Sequence, residues 1–257
     1  MGKSARISRE KGGERGLFRA AAMSEAIAVL ARAPVPGRVK TRLVPALGET
    51  GAALAHLLLL RRTLLVALLS GRPVYCYSEQ GWRDPLFAGV SGLYWREQEG
   101  GGLGERMQHA VAATHPGAQR VVLVGSDCPT LSVQYFDQAF AALTDREWVI
   151  GPAEDGGYVL LGSRRASFWQ GADPLVGCAF GGPLALRDTL QAMDGKVALL
   201  PEKADLDTPA DLSADANRWL RVLIRRWQPE VKVIGGTMVL RPWVPGEEVR
   251  GPGFSGR

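Results

Sequence analysis

Ala26-Ile27-Ala28-Val29-Leu30 runs directly into Ala31-Arg32-Ala33-Pro34-Val35-Pro36-Gly37-Arg38-Val39-Lys40-Thr41-Arg42-Leu43. A short, wholly apolar run has the pattern of a strand covered on both faces, and the prolines and Gly37 give the loop after it a fixed shape. Such loops collect beyond the carboxyl ends of the strands in an α/β sheet, where ligands bind. Arg38, Lys40 and Arg42 alternate with Val39, Thr41 and Leu43, so extended backbone would present three cations to one side. Arginine grips paired anionic oxygens and lysine supplies a mobile point charge, so an anionic ligand is expected here. The spacing is not that of a Walker loop, because Lys40-Thr41 follows Gly37 without the GxxxxGK[ST] pattern.

Working outward, further strand-like runs occur at residues 73–77, 92–95, 120–124, 147–150 and 158–161. Helical patterns lie between most of them, at 49–69, 103–114 and 133–143, the last with Ser132 as its cap. This alternation predicts an α/β fold, a mostly parallel mixed sheet flanked by helices. Residues 168–182 are irregular, as in an insertion or lid. Residues 183–193 read as a helix, 197–200 as a strand, and 209–225 as one helix with Thr208 capping and Pro209 in its first turn. Around Gly235-Gly236, residues 231–234 and 237–240 suggest a hairpin. The expected organisation is a basic disordered leader over 1–24, one domain over 25–225 and a C-terminal extension over 226–257.

An apolar fraction of 46% in 257 residues is ample for one continuous core. The net charge of +5 would suggest nucleic acid, but residues 1–24 hold six Lys/Arg against two acidic groups, leaving the remainder nearly neutral. No nucleic-acid partner is expected. The apolar stretch 51–70 is interrupted by His56, Arg61 and Arg62, so a buried amphipathic helix is expected and not a membrane span. Cys76, Cys128 and Cys178 are odd in number and widely spaced, which indicates neither a disulfide framework nor a zinc site and fits a reducing cytoplasm.

Three further segments carry polar groups to the same edge. The strand before Gly125-Ser126-Asp127-Cys128-Pro129 delivers Asp127 to the mouth of the sheet. A carboxylate there suits a divalent cation that bridges phosphates, although capping of the next helix would also explain it. Asp205-Leu206-Asp207-Thr208-Pro209-Ala210-Asp211 puts Asp205 and Asp207 on one side of extended backbone. Asp207 is a candidate second metal or phosphate-site residue, and Asp211 suits the helix N-terminus. In Gly151-Pro152-Ala153-Glu154-Asp155-Gly156-Gly157-Tyr158 the glycines allow close approach of a ligand or a tight turn, and Asp155 could orient a hydroxyl nucleophile. After Gly100-Gly101-Gly102, Arg106 faces either a nucleotide or a neighbouring carboxylate. No GxSxG elbow or Ser/His/Asp order is present, which disfavours covalent hydrolysis.

Taken in order, the motifs at 33–43, 103–107, 124–131, 151–158 and 205–212 resemble the bacterial DUF2064 group, also described as radical-SAM/selenodomain-associated transferase 1. Some of its members are assigned to glycosyl transfer in arsenosugar biosynthesis. The resemblance spans about residues 25–222. It implies a single Rossmann-like GT-A (nucleotide-diphospho-sugar transferase) fold, related to guanylyltransferases. It further implies that Ala31, Ala33, Pro34, Gly37, Arg38, Lys40, Arg42, Arg106 and Ser126 hold nucleotide phosphates. Asp127 and Asp207 would bind Mg²⁺ or Mn²⁺, Gly156, Gly157 and Tyr158 would face the acceptor, and Asp155, Lys40 and Arg42 would serve the chemistry. Family members usually carry a Trp-Ser-Thr type sequence where this chain has Phe180-Gly181-Gly182-Pro183. The implied partners are a nucleotide sugar or NTP and a small-molecule acceptor. The expected reaction is glycosyl transfer, with nucleotidyl transfer and non-catalytic nucleotide binding as alternatives; a homo-oligomer is compatible with the sequence.

Overall fold

Side chains along β1 (Glu25–Ala31) alternate between two cores: Ile27, Val29 and Ala31 join one apolar cluster, Ala26 and Ala28 the other. That double burial is what an uninterrupted apolar strand requires, and it sets β1 in the middle of a seven-stranded sheet. The computed structural model describes residues 24–171, 174–193, 195–227, 231–234 and 236–240. The leader and the extension beyond residue 240 lie outside the described residues.

The other strands are β2 (Val74–Ser78), β3 (Leu93–Glu97), β4 (Arg120–Val124), β5 (Trp148–Pro152), β6 (Tyr158–Ser163) and β7 (Val197–Leu199). Their order is β3-β2-β1-β4-β6-β5-β7. β6 is antiparallel to both neighbours and the remaining pairs are parallel, so the sheet is mixed and mostly parallel. From β1 the chain winds outward to β2 and β3, then returns to place β4 on the other side of β1. The crevice beyond the carboxyl ends of β1 and β4 is thus the switch point of the sheet.

Helices α1 (Val44–Leu69) and α3 (Val133–Asp145) cover one face, where Leu60, Leu64, Phe136 and Phe140 are buried against the strands. Each such side chain contributes about 1.5–3 kcal/mol on burial. The other face is covered by α2 (Leu103–Thr114), α4 (Ala185–Ala192) and a short turn, Ala166–Trp169. Ser132 caps α3 by accepting the Tyr135 N–H at 3.2 Å.

Three expectations change. The helix expected from residue 49 to 69 forms as expected, preceded by a short turn from Val44 that the non-helical Gly48 (φ 68°) sets off from it. It is, however, not amphipathic. Leu60 and Leu64 face the sheet, while Leu54, Leu57 and Leu59 pack with Leu220, Ile224 and Met238 in a third cluster, so apolar residues surround it. Thr41–Leu69 is long and apolar enough to cross a membrane, but 61% of its most apolar window is buried within the protein. The single helix expected over 209–225 is two, α5 (Pro209–Ser213) and α6 (Arg218–Trp227). Ala214 turns to extended ψ between them, and Asn217 donates to the Asp211 carbonyl at 2.8 Å. Finally, the 168–182 stretch is in part core, because Trp169 is buried against Trp148 and Phe168. The hairpin forms as β8 (Val231–Ile234) and β9 (Thr237–Leu240).

Candidate functional site

The loop after β1 is not extended. Lys40 has left-handed backbone (φ 45°, ψ 44°), and the chain then turns through a short 3-10 segment, Thr41–Leu43. Non-glycine residues adopt this conformation only where surrounding contacts repay it. Here Val39 and Leu43, both buried in the third cluster, anchor the turn on either side. Lys40 is sent inward, its side chain 5% exposed, while Arg42 stays at the mouth and Arg38 lies exposed away from the crevice. The three cations are therefore not on one side, since the alternation argument required extended backbone.

Lys40 meets the two carboxylates singled out in the sequence. Its Nζ donates to Asp207 Oδ1 at 2.6 Å and to Asp127 Oδ2 at 3.3 Å, with Arg42 at 3.6 Å from the other oxygen of Asp207. Asp127 comes from the end of β4. The late segment is docked onto it because Leu206 N–H donates to the Asp127 carbonyl at 3.0 Å and the Leu206 side chain is fully buried. With Leu206 inward, Asp205 and Asp207 turn toward the crevice. Asp211 instead closes a capping box, accepting from the Asp207 and Thr208 N–H groups at 3.0 and 2.6 Å.

The charges are mutually adjusted. Burial works against the Lys40 ammonium, but Asp127 and Asp207 outweigh it and hold its pKa above the ordinary lysine value. Burial likewise opposes ionisation of Asp127, and Lys40 overcomes it and lowers that pKa. Among the described residues no such cation pairs with Asp205. Burial, then the nearby charges of Asp155 and Asp207, push it up to about 6. Proximity of like charge and desolvation act in the same direction there. His56 on α1 also lines the crevice; burial lowers its pKa, and its Nε2 lies 3.0 Å from the Arg32 carbonyl. A carbonyl only accepts, so Nε2 carries the proton of a neutral ring.

The crevice has a volume of about 500 Å³. Ala31, Lys40, Arg42, Arg106, Ser126, Asp127, Asp155, Gly157, Tyr158 and Asp207 all line it. Ala33, Pro34, Gly37, Arg38 and Gly156 do not. Ala33 and Pro34 are buried in the loop, where the Pro34 carbonyl accepts the Met238 N–H at 3.1 Å and so ties the loop to the hairpin. Gly37 (φ 73°) shapes the loop beside Glu49. Gly156 (φ 87°) accommodates the backbone of Pro183, which a Cβ would strike. Tyr158 contributes its ring to the wall, its hydroxyl accepting from Thr189 at 3.3 Å and facing Met107 Sδ at 3.8 Å. Burial raises its pKa and keeps that hydroxyl protonated. Asp155 accepts the Gly157 N–H at 2.9 Å.

Sequence reasoning missed Asp205 as a distinct member, and also Arg32, His56, Gln98, Phe180 and Gly181 of the lining. Gln98 donates to the Ala31 and Tyr77 carbonyls, both at 2.8 Å, and stitches β1 to β2 at the rim. Glu79 joins Arg106 at 3.0 Å and Arg32 at 3.4 Å, forming a second charged rim. The signal for Asp205 was available, since it sits two residues before Asp207.

Asp127 and Asp207 converge on one ammonium, which marks a position where positive charge is favoured. Among the described residues no cluster of three or more His, Cys, Asp or Glu could enclose a metal. Two hard carboxylates, completed by substrate oxygens and water, suit Mg²⁺ or Mn²⁺ better than a closed protein cage would.

The model of the family described as uncharacterised proteins conserved in bacteria (DUF2064) matches residues 63–174. That span includes Asp127 and the 151–158 turn but neither Lys40 nor Asp207. No curated protein matches the chain at a significant level. Among solved structures, a proposed nucleotide-diphospho-sugar transferase from Desulfovibrio desulfuricans G20 is 28% identical, with a TM-score of 0.65 over 79% of this chain and 97% of that one. The 4-diphosphocytidyl-2C-methyl-D-erythritol synthase of Anaerococcus prevotii DSM 20548 is 11% identical, with a TM-score of 0.50 over 77% of this chain and 99% of that one. Rv0371c of Mycobacterium tuberculosis H37Rv, solved in complex with manganese, is 19% identical with a TM-score of 0.47 over 73% and 95% of the two chains. The chain is thus similar to DUF2064 proteins over that central span, and its mixed sheet flanked by helices is the Rossmann-like arrangement of GT-A and nucleotidyltransferase folds.

Proposed function

We propose that the chain is a metal-dependent transferase that moves a sugar from a nucleoside diphosphate to a hydroxyl of a small acceptor. The observation that carries this reading is the contrast among the carboxylates of one crevice: Asp127 and Asp207 are paired with Lys40 and Arg42, whereas burial and then the charges of Asp155 and Asp207 push Asp205 up to about 6. The first group suits a diphosphate leaving group and the second suits a hydroxyl that must lose a proton. The likeness to the Desulfovibrio protein supports a nucleotide sugar as donor.

Asp127 and Asp207 would hold Mg²⁺ or Mn²⁺, which supplies Lewis-acid stabilisation of the departing diphosphate. Arg42 and Lys40 would bind the same oxygens and disperse the charge that develops on them. The acceptor oxygen forms the new bond to the anomeric carbon as the bond to the diphosphate oxygen breaks. Its proton passes to Asp205 or to Asp155. Either carboxylate works best ionised and close to its pKa. The Tyr158 ring and Phe180 would bound the acceptor's side of the crevice.

Nucleotidyl transfer is the second reading. Arg32 and Arg106 on the opposite rim would suit a phosphorylated acceptor attacking an NTP with release of pyrophosphate. A phosphate acceptor needs no base, and so leaves Asp205 without a task.

The test is product analysis on the purified full chain, with NTPs and nucleotide sugars screened against Mg²⁺ and Mn²⁺ by mass spectrometry. Release of nucleoside diphosphate from one nucleotide sugar, lost in Asp127→Asn, is the expected result. Pyrophosphate release would transfer the assignment to the second reading, and inactivity towards both ligand sets would leave a nucleotide binder without turnover.

A further inference from the structure

Lys40 occupies the point between Asp127 and Asp207 that a divalent cation would need. The Lys40 side chain is only 5% exposed, yet both carboxylates remain open to the crevice, with the Asp127 and Asp207 side chains 48% and 37% exposed. A lysine placed only to seal a salt bridge would bury its partners too. The backbone is also committed to this arrangement, since the left-handed Lys40 is held between the buried Val39 and Leu43. Two carboxylates can each accept about two hydrogen bonds per oxygen, so the lysine leaves most of their capacity unused.

We infer that Lys40 is a resident counter-cation that competes with the divalent metal, so that metal entry and release of the Lys40 ammonium toward the substrate phosphates are one coupled event. This inference rests on the metal-dependent reading given above. Without ligand, the ammonium balances two carboxylates that would otherwise repel each other. When a phosphorylated ligand arrives, its oxygens give the ammonium a second partner and the carboxylates become free. Lys40 lies on the flexible end of a four-carbon stem, which lets the charge shift without any backbone change. Metal alone must displace a charge-assisted hydrogen bond of 2.6 Å and therefore binds weakly. By linkage, the factor by which a bound phosphate eases metal entry equals the factor by which bound metal tightens the phosphate, so the two ligands aid each other.

The experiment is Mn²⁺ titration of the full chain, followed by the EPR signal of free Mn²⁺, in the wild type, Lys40→Met, Lys40→Arg and the double variant Lys40→Met/Asp127→Asn. No nucleotide is present, so the readout is independent of activity. Lys40→Met is expected to bind Mn²⁺ at least about fivefold more tightly than wild type, within the usual span of such couplings. Lys40→Arg should stay near wild type, and the double variant should lose the gain. Thermal melting checks folding, and Mn²⁺ should raise the melting temperature of Lys40→Met more than that of wild type. Equal Mn²⁺ affinity in wild type and Lys40→Met, abolished by Asp127→Asn, would overturn the competition while leaving the metal site in place. Absence of Asp127-dependent Mn²⁺ binding in every variant would overturn the metal reading and the inference with it.

Discussion

Two ion-paired sites flank α1, and they are built to opposite ends. On one side Arg61 clamps Asp84 with Nε to Oδ2 at 2.6 Å and Nη2 to Oδ1 at 2.9 Å, and Oδ1 also caps the next turn by accepting the Leu86 N–H at 3.0 Å. The Asp84 side chain is 1% exposed. On the other side the Lys40 side chain is buried more deeply than that of Arg61, but Asp127 and Asp207 open onto a crevice and neighbour a third carboxylate, Asp205, that no cation pairs with among the described residues. Burial of the cation alone does not separate a structural pair from a functional one. What separates them is whether the anion's lone pairs are spent.

That comparison can be broken most severely at the sealed pair. Asp84→Ala leaves a buried guanidinium without its counter-charge and should cost about 3–5 kcal/mol in denaturant unfolding, with nucleotide affinity per folded molecule unchanged. Asp127→Asn should do the reverse, with little loss of stability but a fall in kcat of about 10²–10³-fold, the scale of removing a preorganised electrostatic group. Equal stability losses in the two variants would erase the distinction.

Gly156→Ala tests the wall between them and the acceptor side. With φ at 87° and a Cβ that would lie 2.7 Å from Pro183 Cα, it should cost about 1–3 kcal/mol and raise KM for the acceptor more than for the donor. The smallest effect on folding is expected at Asp205. Its pKa is raised in the folded chain above the ordinary carboxylate value, so the stability it contributes is complete below pH about 4 and is lost as pH rises through about 6. Asp205→Asn should therefore match wild type in acid and melt slightly higher above pH 6. The same change should remove the rise in kcat/KM between pH 5 and 7 that ionisation of Asp205 would give, read from a pH–rate profile.

Most of the sheet was legible because its signals are local. The runs at β1 and β4 are apolar without interruption, and α2 fills the span from Leu103 to Thr114 that its periodicity marked. Ser132 and Thr208 identified themselves as caps by residue type and position. The break at Ala214 escaped notice because Ser213 to Asn217 carries no proline or glycine, and the turn is fixed by a side-chain bond from Asn217. Of the site, the sequence identified the loops but not their internal contacts. The alternation around Lys40 predicts extended backbone, whereas its left-handed turn depends on Val39 and Leu43 meeting a helix and a late segment distant in sequence. Arg106 with Glu79 and Arg61 with Asp84 pair across 27 and 23 residues, distances over which residue type alone selects no partner.

The bond from Lys40 to Asp207 spans 167 residues, and the Leu206 bond to Asp127 closes a shorter loop nested within it. Closing so long a loop comes late in folding, after local helices and neighbouring strands have formed. During synthesis, β1 to β6 can emerge and pair while the carboxylates of the late segment are still inside the ribosome. A nascent chain of that length would have Lys40 balanced by Asp127 alone. The charge balance of the crevice is therefore expected among the last features to form as the chain folds.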